Sequence, residues 1–85
     1  MSTSTAQIDP RVRTVRVDDE RLSVDLVDGR TVTAPLAWFP RLARATSAQR
    51  ARWEISAGGH GIHWPEIDED LGVEGLLRGS APDDR

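Results

Sequence analysis

The chain has 85 residues, no cysteine, fourteen acids and eleven basic residues that are all arginine, for a formal net charge of −3. That length supports one domain with a modest core, and the missing thiols exclude disulfide staples, redox dithiols and thiolate zinc sites. The acidic balance disfavours non-specific binding to nucleic acid, which depends on cationic surface.

No N-terminal apolar run follows a basic segment, and no apolar stretch is long enough to span a bilayer, so a cytoplasmic location without membrane contact is expected. Residues 1–9 are small and polar and read as a flexible tail. A single domain is expected over residues 10–79, with a second polar tail over residues 80–85.

Residues 11–34 read as a three-stranded antiparallel meander. Leu22, Val24 and Leu26 alternate with polar residues, Val15 and Val17 flank Arg16, and Val32 and Ala34 flank Thr33. Asp18-Asp19-Glu20 forms the first turn. Asp28-Gly29 forms the second, since both residues accept positive φ. One face of this sheet is apolar and needs a cover.

Pro35 ends the third strand, and a short helix is expected over residues 37–45 with Pro40 in its first turn. Thr46-Ser47-Ala48-Gln49 fits a capping box and opens a second helix, expected over residues 47–56, with Ala48, Ala51 and Ile55 toward the sheet. Gly58-Gly59 stops it. A short extended segment at residues 61–64 ends at Pro65. Asp68-Glu69-Asp70 reads as a turn or helix start, and residues 73–78 as a C-terminal helical turn anchored by Leu76 and Leu77 and closed by Gly79. The expected fold class is α+β: a three-stranded meander covered by two short helices, with a short extended segment and a C-terminal helical turn.

These pieces carry a resemblance. Val15 to Val17, Arg21-Leu22, Asp28-Gly29-Arg30, the run from Pro35 to Leu42, Ala45-Thr46, Gln49-Arg50, Trp53-Glu54, Gly61-Ile62-His63-Trp64-Pro65, Asp68-Glu69-Asp70-Leu71 and Gly75-Leu76-Leu77 resemble, in order, the bacterial domain-of-unknown-function family 2442. The resemblance implies a compact α+β domain without assigned catalytic residues. It also implies a gene beside that of another small protein, in a toxin–antitoxin-like pair. Some members carry a helix-turn-helix domain after this one, for which 85 residues leave no room.

All three tryptophans, the only phenylalanine and both histidines lie between positions 38 and 64. Large aromatics dominate core and interface energetics, so contact is expected there. Residues 41–52 hold four arginines and no acid, while residues 66–70 hold four acids and no base. The two runs are complementary and can pair within the chain or across an interface. His60 and His63, with Asp68, Glu69 and Asp70 nearby, have the ligand types for a metal but not the spacing of a known metal motif. No metal and no other cofactor is expected. The carboxylates lack a cleft and no nucleophile motif is visible, so no enzymatic activity is expected.

The expected function is therefore a protein-binding module, antitoxin-like or regulatory, with Trp38, Arg41, Arg44, Trp53, Trp64, Glu66, Asp68 and Asp70 as contact residues. The expected partner is a small protein encoded by a neighbouring gene. A DNA-binding regulator acting through residues 41–52 and a structural homo-oligomer are the alternatives. The first has DNA as an unfavoured partner for this chain alone.

Overall fold

The computed structural model describes residues 8–79. The fold class is α+β, as the alternation predicts, but it contains two sheets instead of one. The first is the expected meander of β1 (Val12–Val17), β2 (Arg21–Leu26) and β3 (Thr31–Pro35), in the order β1-β2-β3. Leu22 faces Val17 and Ala34 across the ladder, and Val24 faces Val15 and Val32, so the apolar residues share one face. The first turn is held by the Asp18 carboxylate, which accepts from the Glu20 and Arg21 amides at 2.7 Å each.

The second turn differs from a two-residue hairpin in which both residues take positive φ. Gly29 alone does so, at 98°. The Gly29 amide donates to the Leu26 carbonyl, and the Leu26 amide to that of Arg30. This is a three-residue loop whose glycine makes the bulge. Asp28 instead uses its carboxylate. It accepts from the Arg30 side chain and from the Asp9 amide at 2.9 Å, which fixes the segment entering β1.

A 3-10 turn (Leu36–Trp38) and α1 (Pro40–Arg44) replace the single helix expected over residues 37–45, and Pro40 takes the first helical position. The predicted capping box is present on α2 (Ser47–Arg50): Thr46 Oγ1 accepts from the Gln49 amide, and the Gln49 side chain accepts from the Thr46 amide. This helix ends six residues earlier than expected. Ala51 and Ile55 are exposed rather than turned to the sheet. Residues 54–56 are instead β4 (Glu54–Ser56), the outer strand of a second antiparallel sheet with β5 (Gly61–Trp64) and β6 (Glu69–Gly72), in the order β4-β5-β6. Trp53 and Ile55 are two apart and fit a strand as well as a helix. Hydrogen bonds to β5 decide between them.

Gly58 and Gly59 make the turn between β4 and β5, at φ 64° and 100°. The Arg11 side-chain stem lies so close over Gly59 that a Cβ there would meet it at 2.8 Å. Asp68 has φ 55°, one of two non-glycine residues at positive φ among those described, and turns the chain from β5 into β6. Asparagine and aspartate tolerate this region better than other side chains. The C-terminal helix α3 (Val73–Arg78) ends where predicted, with Gly79 left-handed at φ 75°. Of its two expected anchors, Leu76 is buried and Leu77 is 41% exposed.

One buried cluster joins all parts: Val15, Leu22, Val24 and Leu26 from the first sheet, Ile62, Trp64 and Leu71 from the second, Phe39 and Leu42 around α1, and Val73 and Leu76 from α3. No helix among the described residues is long and apolar enough to cross a membrane.

Candidate protein-contact site

The three tryptophans have separate fates. Trp64 sits on the inner face of β5 and is fully buried. Its indole Nε1 donates to the Arg50 carbonyl at 3.0 Å. It is a core residue, and the expectation that it contacts a partner is corrected by its burial. Trp38 and Trp53 are half-buried, packed against the core on one side only. Trp38 meets the buried Phe39 edge to face, with ring centroids 6.4 Å apart.

The arginines of residues 41–52 turn mostly inward or toward the acidic run. Arg50 is 9% exposed. Its Nε donates to the Leu42 carbonyl and one terminal nitrogen to the Ala43 carbonyl, both at 3.0 Å. The other terminal nitrogen pairs with Asp19 at 2.9 Å. The planar guanidinium thus satisfies two carbonyls at the end of α1 and ties that end to the β1–β2 turn, a fork geometry that only arginine offers. The sequence leaves Arg50 to pair with the acids of residues 66–70, to face solvent or to meet DNA; the structure pairs it with Asp19 instead. Asp18 alone holds the amides of that turn, which leaves the Asp19 carboxylate available to Arg50.

Arg41 reaches the β5–β6 turn, where it donates to the Asp68 carbonyl and lies 4.0 Å from Glu69. Arg52 pairs with Glu66. The complementary charge runs are therefore brought together within the chain. Arg44 is exposed and has no ion pair with a described residue.

The acids divide in the same way. Burial pushes the Glu69 carboxyl up from the usual range, and Arg41 opposes that shift. Asp68 contributes its backbone carbonyl to Arg41, and the Asp70 carboxylate accepts from His63 Nδ1 at 2.8 Å, a contact that puts the imidazole proton on Nδ1. Among the described residues neither aspartate side chain accepts from a backbone amide. On the outer face of the second sheet, Glu54, His63 and Asp70 stand side by side across three strands.

Among the described residues no group of three or more metal-ligating side chains is arranged to hold an ion. His60 is exposed and lines a shallow cleft of about 460 Å³ with Pro10, Val73 and Leu77, away from the pair formed by His63 and Asp70. The arrangement offers arginine–carboxylate pairing and apolar contact, the chemistry of recognition.

The comparisons with known proteins agree with the fold. No curated protein matches the chain. The structure is similar to a crystal structure of a protein of unknown function from Rhodospirillum rubrum, at 34% identity and a TM-score of 0.72, over 84% of this chain and 88% of that one. It is also similar to a solution structure of an uncharacterised protein from Chromobacterium violaceum, at 26% identity and a TM-score of 0.69, over 84% of this chain and 67% of that one. The model of the family described as protein of unknown function DUF2442 matches residues 12–82. The chain, carrying the two-sheet architecture and the Trp-Pro and Asp-Glu-Asp segments described above, belongs to the DUF2442 family.

Proposed function

We propose that the chain is a non-catalytic protein-binding module, antitoxin-like or regulatory, that acts on a small partner protein encoded nearby. The observation that supports this reading is the division among the tryptophans. Trp64 is fully buried in the core, while Trp38 and Trp53 are left half-covered. Half-covered indoles and free guanidiniums are the groups most enriched where binding energy concentrates. Trp38 and Trp53 are the aromatic anchors of the contact, and Arg44 is its free cation. Arg41, Glu66, Asp68 and Asp70 act by holding the β5–β6 turn and the second sheet in place.

The lengths of α1 and α2, five and four residues, and the engagement of Arg41, Arg50 and Arg52 within the chain favour a protein partner over DNA. Co-expression with the neighbouring gene product tests the reading. The two proteins are expected to purify together, and growth inhibition by the neighbour alone is expected to be relieved by this chain. Separate elution, with normal growth when the neighbour is expressed alone, would overturn it.

A further inference from the structure

The segment from Leu36 to Arg44 divides between core and surface. Leu36, Phe39 and Leu42 are buried, Trp38 is half-buried, and Arg41 and Arg44 are exposed. The two arginines are three apart in α1 and stand on one face of that helix, just after the indole in sequence.

These arginines are not equally occupied. Of the ten described arginines, eight have a carboxylate within 4.0 Å. Arg50 is fully used by Leu42, Ala43 and Asp19, and Arg52 pairs with Glu66. Arg41 is partly used by the Asp68 carbonyl and by Glu69 at 4.0 Å. Arg13 and Arg44 are the two without an ion pair to a described residue. Arg13 stands on β1, whereas Arg44 ends the short segment that carries the half-buried Trp38. Residues 29–53 contain no acid, so nothing in its own stretch can neutralise Arg44.

We propose that this face receives a short acidic segment of a partner protein, which sets a carboxylate on Arg44 and an apolar side chain against Trp38. The inference rests on the reading of Trp38 as a contact residue and adds the chemistry of what it meets. The guanidinium fork matches a carboxylate through two parallel donors. The surroundings select a local acid over a polyanion. Arg41 reaches into the turn that carries Asp68 and Glu69, and the chain as a whole has a net charge of −3. A nucleic-acid strand would carry its phosphates past those carboxylates, and one unpaired arginine releases few counterions in return. A polypeptide can place a single carboxylate on Arg44 and stay neutral beside the acidic turn.

The test is selection from a random-peptide library displayed on phage, with the full-length chain as bait. Wild type is expected to enrich peptides that join aspartate or glutamate to a large apolar residue, and Trp38→Ala is expected to lose that enrichment. A synthetic peptide of the leading sequence is expected to bind Arg44→Glu about tenfold more weakly than wild type or more, with an unchanged circular dichroism spectrum. Arg44→Gln is expected to lie between. Replacing the peptide's acids by their amides is expected to weaken it comparably on wild type, and Arg13→Glu is expected to bind as wild type does. A library that returns no acid-bearing peptide, equal weakening by Arg13→Glu, or displacement of the peptide by oligothymidylate at lower concentration would overturn the proposal. Failure here is distinguishable from failure of the contact reading. Co-purification of the neighbouring protein without acidic peptides removes only the acidic chemistry, and acidic peptides that depend on Arg44 without co-purification remove only the neighbouring protein as partner.

Discussion

Arg50 is the residue whose role was least visible in its own neighbourhood. One of four arginines in a stretch without acids looks like solvated charge. Its environment is made by Leu42, Ala43 and Asp19, up to 31 positions away, and no local pattern encodes that. Arg50→Ala removes the guanidinium from two carbonyls at the end of α1, of which Leu42 keeps only the Ala45 amide, and is expected to cost about 2 kcal/mol in urea unfolding. Arg50→Lys recovers only part of this, since an ammonium cannot span both carbonyls and Asp19.

The carboxylates give a pH signature whose sign follows from the directions of their shifts. The Arg11 guanidinium holds Asp9 at about 2, and the Arg30 guanidinium with the Asp9 amide holds Asp28 at about 2, both below the ordinary 3.8. A depressed folded value means that the stabilisation is present above 3.8 and is lost as pH falls through about 2. Glu69 runs the other way. Burial raises it above 4.5, so its contribution is present below that value and is lost as pH rises through the folded value. A series of urea midpoints against pH is expected to show a shallower acid loss for Asp28→Asn. The same series is expected to show a higher midpoint at neutral pH for Glu69→Gln, with no difference at pH 3.

Among the elements, what a local pattern can specify was legible. The meander follows from strict alternation, the start of α2 from the capping box, and the end of α3 from Gly79. Thr46→Ala removes the cap and is expected to cost about 1 kcal/mol by thermal or urea unfolding, with the strands unchanged. β4 was not legible, because three residues cannot display a period. The spacing of Ala48, Ala51 and Ile55 imitates a helical face, and the strand exists only through pairing with β5. The second sheet is therefore a product of tertiary contact rather than of propensity.

Over the molecule as a whole, the aromatic stretch is both a core and a surface, and the sequence could not divide the two. Three tryptophans at element ends carry similar local signals. Burial of Trp64 follows from the facing of β5 toward the first sheet, which is a property of the assembled fold. Trp64→Ala is expected to cost about 3–5 kcal/mol, comparable to the roughly 3–5 kcal/mol available to a domain of this size, and to leave the chain largely unfolded by circular dichroism. Trp38→Ala removes a half-covered ring and is expected to leave a folded chain, which makes it the clean probe of the proposed contact face. Affinity purification of the full-length chain from native cells, wild type beside Trp38→Ala and Arg13→Ala, is the decisive comparison. A small protein in fixed ratio is expected with the wild type and Arg13→Ala and is expected to be lost with Trp38→Ala. Equal recovery from all three, or no retained protein from any, would contradict a protein-binding role for this face.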